Sequence, residues 1–324
     1  MQGWAVALIV TAFVVLFVSL AFLAGALLSV HWVLGRRKNV NSELTYAPDK
    51  YAEKFGADLD WFVEVKDNTS ELFITAFDGV KLCAKLVAHA EKPNKVAIVC
   101  HGYGATPRSV QGLAGLFYAR GYDVLFPVMR GHAQSGGKVG MAWLDRFDVL
   151  RWADKTISVY GSDVSIALAG MSMGGASVIA AAGMNPPPQV KCVVDDCGFS
   201  SAVDEYKVQV KNVHLPHAIS LLPIRVGTRL VHGYSADDAD ITTLAKNIKI
   251  PALLFHGEAD SFVPIELGRK LFDAIGTREK TFVSVPDAKH GCAYAADKEK
   301  YAAELYKFLD NVERVHGSAR DNNT

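Results

Sequence analysis

The stretch "ALAGMSMGGAS", residues 167–177, decides the fold. It continues the apolar run "VSIALAG" (164–170) and leads into "GASVIAAAG" (175–183), which reads as a buried helix. A strand, then G-x-S-x-G, then a helix is the pattern of a nucleophile elbow. A serine held at strained backbone angles on such a turn projects its hydroxyl above the sheet. Gly170 and Gly174 flank Ser172 because side chains there would collide with the turn. The helix that follows points its N-terminal amides at the same spot, which favours negative charge on a bound oxygen.

Working outward, short apolar runs alternate with amphipathic stretches. The runs are "KVAIVC" (95–100), "YDVLFPV" (122–128), "VSIALAG", "VKCVVDD" (190–196), "IPALLFHG" (250–257) and "KTFVSVP" (280–286). Helices are expected near 109–120, 144–160, 174–184, 264–275 and 297–314. Continuous apolar strands separated by helices indicate an α/β fold, with a mostly parallel sheet covered on both faces. Ahead of them, "ELFITAFDGVKLCAKLVAH" (71–89) alternates around Asp78-Gly79, a hairpin signal. One interval, about 202–248, breaks the rhythm with no clear strand and is expected to form a small helical cap.

A serine nucleophile needs a base, and the base needs an orienting carboxylate. On an elbow-type sheet the order along the chain is Ser, acid, His. "LLFHGEADSFVP" supplies Asp260 after one strand, and "VSVPDAKHGCAY" supplies His290 after the next. Both loops open at the carboxyl edge of the sheet, where ligands bind in such folds. Asp195 and Asp196, at the end of the preceding strand, are the alternative acids. Among the other histidines, His256 reads as a structural residue at a strand end and His132 as a loop-shaping one. His214, His217 and His232 fall in the insertion. An oxyanion needs two backbone donors. Met173, directly after the serine, is one. The loop "HGYGAT" (101–106) offers the other at Tyr103, with Gly102 and Gly104 letting that backbone fold over the site.

The N-terminus has a different character. From Trp4 to Leu34 the only titratable side chain is His31. As a helix this run reaches about 45 Å, more than a bilayer core needs. Residues 4–34 are therefore expected to meet a membrane as a tilted span. "AGA" at 24–26 keeps a cleaved leader as the rival reading. "RRK" at 36–38 follows the span and no Lys or Arg precedes it, so the rest of the chain is expected on the cytoplasmic side, with an outward-facing or secreted domain as the alternative. The expected division is an anchor with its basic flank at 1–38, a linker at 39–58 and one catalytic domain at 59–324.

Lys plus Arg equals Asp plus Glu at 34 each, with no basic stripe, which argues against nucleic acid as a partner. The five cysteines fit neither a disulfide framework nor a CxxC zinc site. There is no HExxH, and "GHAQSGGKV" (131–139) misses the phosphate-binding loop because Gly137 stands where Lys is needed. No metal is expected.

"HGYG", "RGHAQSGG", "GMSMGG", "HGEADSFVP" and "KHG" occur in the order found in the α/β-hydrolase superfamily. Over about 70–310 the chain resembles the bacterial membrane-anchored or secreted hydrolases grouped with the serine aminopeptidase S33-like set, and "GMAWLDRFDVLRWADK" (140–155) also looks like that group. "HGYG" differs from the HGGG of one large lipase and esterase set. The resemblance implies an eight-stranded, mostly parallel sheet, no cofactor and a Ser172–Asp260–His290 triad. It leaves the substrate open, because this fold hosts many chemistries. The leading expectation is hydrolysis of a small-molecule carboxylic ester through an acyl-enzyme. A peptidase acting on a peptide-like substrate, or an acyltransferase, would use the same triad. A membrane-tethered scaffold is the reading from another class.

Overall fold

A computed structural model of the chain describes residues 3–37, 43–44, 50–56, 59–89, 94–211 and 217–321. Lys38, His214 and most of the expected linker lie outside them. The helices are α1 (Gly3–Leu34), α2 (Lys50–Phe55), α3 (Asp60–Val65), α4 (Gln111–Ala119), α5 (Asp145–Tyr160), α6 (Met173–Ala182), α7 (Ala202–Lys211), α8 (His217–His232), α9 (Thr242–Ala245), α10 (Ile265–Ala274), α11 (Ala293–Ala296) and α12 (Lys298–Asp321). The strands are β1 (Thr69–Thr75), β2 (Lys81–Val87), β3 (Lys95–Cys100), β4 (Asp123–Pro127), β5 (Ser165–Met171), β6 (Val190–Asp196), β7 (Ala252–Gly257) and β8 (Lys280–Val285).

The eight strands form one sheet in the order β1-β2-β4-β3-β5-β6-β7-β8. The Asp78-Gly79 turn joins β1 to β2, and both pairings of β2 are antiparallel. The remaining strands run parallel. β3 has β4 on one side and β5 on the other, so the strand order reverses there. Ligands bind at such a reversal, outside the carboxyl ends of the strands. The loops leaving β3 and β5 carry "HGYG" and Ser172 respectively.

The strands alternate between two cores because successive side chains point to opposite faces. Val96, Ile98 and Cys100 of β3 pack with Trp152 of α5 and Val178 of α6. Ala97 and Val99 pack on the other face with Phe117 of α4 and Tyr301 of α12. Phe55, in the stretch read as linker, also packs against this second core. Among its described residues the interval 202–248 holds α7, α8 and α9 and no strand, as its sequence suggested.

A buried ion pair ties the antiparallel edge to the parallel sheet. Arg130, in the loop after β4, donates from Nε to Asp148 of α5 at 2.6 Å and from its second nitrogen at 2.8 Å. It also donates to Asp78 of the hairpin turn at 3.0 Å. Removing one partner of a buried pair leaves an uncompensated charge, so Asp148→Ala should cost about 3–5 kcal/mol in a urea titration. Nearby, Asp145 is fully buried and its carboxyl is pushed up to about 7, first by burial and also by Asp148. An ordinary Asp in an unfolded chain titrates at about 3.9. The folded state thus holds the extra proton, and this contribution to stability is complete below about pH 4 and lost as pH rises through about 7. Asp145→Asn should therefore gain on the parent protein between pH 4 and pH 8 in the same titration, and the gap should close again in acid.

Candidate active site

Ser172 sits at φ 56° and ψ −120°, between the last residue of β5 and the first of α6. Glycine is required on both sides of it. A Cβ at Gly170 would lie 2.4 Å from the Gly174 backbone, and one at Gly174 would lie 2.2 Å from the Cys100 carbonyl oxygen. α6 thus begins in backbone contact with β5 and β3. Met173 is its first residue, and amides in the first turn of a helix have no intrahelical partner.

The structure brings Asp260, His290 and Ser172 into one hydrogen-bonded line. His290 Nδ1 lies 2.7 Å from Asp260 Oδ2, and His290 Nε2 lies 2.9 Å from Ser172 Oγ. Asp260 follows β7 and His290 follows β8, so the loops after β5, β7 and β8, all on one edge of the sheet, supply one residue each. Asp260 is 5 % exposed, and its other oxygen accepts from the amides of Phe262 at 2.9 Å and Val263 at 2.8 Å. His256 donates to the Val263 carbonyl at 2.9 Å and so supports the turn that holds the carboxylate. The Phe262 ring lies 4.8 Å from the His290 ring, centre to centre.

The alternative acids are engaged elsewhere. Asp195 accepts from the Gly198 amide at 2.9 Å, and Asp196 accepts from the Tyr301 hydroxyl at 3.0 Å. Burial pushes Asp195 well above the usual carboxylate range and Asp196 up to about 6. Cys197, Asp260 and His290 offer donor atoms within 4.8 Å of one another, but the imidazole nitrogens already face Asp260 and Ser172.

On the β3 side, Gly102 approaches so closely that a Cβ there would lie 3.2 Å from Ser172 Cβ. Gly104 turns at φ +63°. Two buried histidines brace this loop. His132 Nε2 accepts from the Gly104 amide at 3.0 Å while Nδ1 donates to the Arg130 carbonyl at 3.0 Å. His101 Nε2 accepts from the Met129 amide at 3.0 Å while Nδ1 donates to the Gly102 carbonyl at 2.9 Å. Reading His132 as loop-shaping agrees with this geometry; the matching role of His101 needed the fold to become visible.

Ser172, Tyr103 and Met173 open into a cavity of about 700 Å³ whose other walls include Phe199 and Ile224. Two of its residues carry no sequence signal. Arg37, just beyond α1, reaches the cavity and donates to the Tyr103 hydroxyl. Glu205 of α7 is 4 % exposed; one carboxyl oxygen accepts from Gln209 at 2.8 Å. The other oxygen and the neighbouring Tyr206 hydroxyl are buried without a hydrogen-bond partner among the described residues. Burial pushes the Glu205 carboxyl up to about 7, against the opposing pull of Gln209 and His290.

Comparison with known proteins agrees with this architecture. The chain is 23 % identical to YqkD of Bacillus subtilis over 297 residues, covering 90 % of this chain and 94 % of YqkD. The structure resembles an esterase from Pyrococcus furiosus with a TM-score of 0.63 at 19 % identity, covering 85 % of this chain and 98 % of that one. It also resembles a monoacylglycerol lipase from Paleococcus ferrophilus with a TM-score of 0.53 at 22 % identity, covering 71 % of this chain and 99 % of the lipase. Residues 115–314, well over half of the chain, match the prolyl oligopeptidase family, and the chain belongs to that family on an α/β-hydrolase fold.

Proposed function

We propose that the chain is a membrane-anchored serine hydrolase that cleaves carboxylic esters through an acyl-enzyme. The observation that carries this reading is the continuous line from Asp260 through His290 to Ser172, at 2.7 and 2.9 Å. In it, His290 Nε2 takes the Ser172 proton as Oγ attacks the ester carbonyl, and Asp260 stabilises the imidazolium that forms. The developing oxyanion is held by the amides of Met173 and Tyr103, with the first turn of α6 adding a favourable field. His290 then returns the proton to the departing alcohol. Water, activated by the same imidazole, splits the acyl-enzyme and releases the acid.

Anchoring rests on residues Gly3–Leu28, an apolar helical stretch with none of its most apolar window buried in the protein. Arg36 and Arg37 follow the end of α1, which supports a cytoplasmic side for the hydrolase domain, residues 59–324.

A second reading, cleavage of an aminoacyl amide by the same residues, is favoured by Glu205. A buried carboxyl with a vacant acceptor oxygen in the cavity suits the amino group of a peptide-like substrate.

Ser172→Ala should abolish both p-nitrophenyl acetate hydrolysis and labelling by a fluorophosphonate, and Asp260→Asn should lower kcat by about 10³–10⁴-fold. Retention of labelling by the alanine variant would overturn the assignment of the nucleophile. Comparing p-nitrophenyl acetate with an aminoacyl p-nitroanilide separates the two readings. The ester should be turned over faster. Should the anilide win instead, Glu205→Gln should raise its KM about tenfold with kcat little changed, the mark of a lost binding contact.

A further inference from the structure

α1 is longer than a bilayer requires. Its 32 residues rise about 48 Å, whereas about 20 residues cross a hydrocarbon core. The surplus of about three turns is built into the enzyme. Ala26, Val30 and Leu34, spaced four apart on one face, are buried, whereas most of the helix before them is exposed. Ala26 and Val30 meet α8 at Gly227, where a Cβ would lie 2.3 Å from Val30 Cγ2 and 2.7 Å from the Ala26 carbonyl oxygen. The two helix backbones approach as closely as glycine permits. α8 in turn supplies Ile224 to the cavity that holds Ser172.

The chain then passes directly into the cavity wall. The Leu34 carbonyl accepts from Val139 at 3.1 Å, Arg37 donates to Gly131 at 2.6 Å, and Ala133 donates to Arg37 at 2.9 Å. Three residues after the helix ends, Arg37 lines the cavity; three extended residues span at most about 10 Å. A bilayer filled by the exposed part of α1 therefore has its surface close to Ala26 and Gly227. That places α8, with exposed Leu222 and Leu230, against the lipid headgroups. Arg36 and Lys138 are exposed beside Leu34 and Val231 at the same junction, cations of the kind found at membrane interfaces.

We propose that the cavity is loaded from the bilayer that α1 crosses, and that its substrate is a single-chain acyl ester amphiphile resident in that leaflet. The proposal rests on the serine-hydrolase reading and adds the source and class of substrate. The apolar walls take one acyl chain, and the polar end stays toward Arg37 and the headgroups. Ester and water give a fatty acid and an alcohol: the Ser172 Oγ–acyl bond forms as the ester C–O bond breaks, His290 passes the serine proton to the alcohol, and water then replaces Oγ on the acyl carbon. No further reactant is needed.

The test uses the full-length chain in phosphatidylcholine vesicles, comparing 1-palmitoylglycerol carried in the vesicles with p-nitrophenyl acetate in the surrounding buffer. Two variants uncouple the span from the cap. Gly227→Leu pushes α1 off α8, and a flexible Gly-Ser insertion after Gly25, between the exposed span and the seated residues Ala26, Val30 and Leu34, lifts the domain from the membrane without touching α8. Each should lower the ratio of vesicle-borne to soluble ester turnover at least tenfold. The insertion carries the test should Gly227→Leu fail to fold. A ratio within twofold of the parent in the insertion variant overturns the proposal. Parent protein that cleaves the soluble ester but not the vesicle-borne one also overturns it and leaves the hydrolase reading standing. Parent protein that cleaves neither overturns both.

Discussion

The left-handed backbone of Ser172 is the constraint on which the carboxyl edge of the sheet depends. A non-glycine residue at positive φ costs on the order of 1–3 kcal/mol and persists only where its surroundings leave no alternative. Those surroundings are visible. The Ser172 amide donates to the Asp196 carbonyl at 2.7 Å, and its carbonyl accepts from Ala176 at 2.9 Å. One end of the turn is thus tied to β6 and the other to α6. Gly170 and Gly174 let α6 press against β5 and β3, and the resulting contact leaves the turn no space to relax. The serine hydroxyl is held out of the sheet by packing elsewhere.

The same edge gathers three buried aspartates and treats them differently. Asp260 receives two backbone amides and an imidazole. Asp196 receives one hydroxyl, and Asp195 one amide, with Gly175 so near that a Cβ there would overlap its carboxyl. Hydrogen bonds to a carboxylate favour its charged form and burial disfavours it. The fold therefore concentrates its donors on the one carboxyl that faces the histidine, while its two neighbours are driven toward the protonated state.

Much of this was legible in the chain. β3 and β6 follow their apolar runs residue for residue, because nearly all of their side chains are buried whichever face they point to. The Asp78-Gly79 signal marked the hairpin. The approach of Ser172, Asp260 and His290 could be anticipated because each follows a recognisable strand, and the sheet gathers strand ends at one edge. What could not be read depends on contacts between distant segments. Arg37 in the cavity wall, Glu205 with its vacant oxygen and the seat of α1 on Gly227 have no local pattern. The helix α12 runs on past the expected residue 314 to Asp321, since an exposed amphipathic helix has no sharp compositional end.

The paired imidazoles beneath the "HGYG" loop carry a consequence of their own. Each accepts an amide through Nε2 and donates to a carbonyl through Nδ1, so each must stay neutral to hold its place. Burial holds His101 well below the ordinary imidazole range and lowers His132 as well. A proton on either Nε2 would set N–H against N–H and turn a brace into a repulsion. The charged ring, 5.0 Å from the other, would then oppose a second proton there. Mild acid is therefore resisted in concert, and once one ring is charged the loop has lost both its hydrogen bond and its reason to stay closed over the serine.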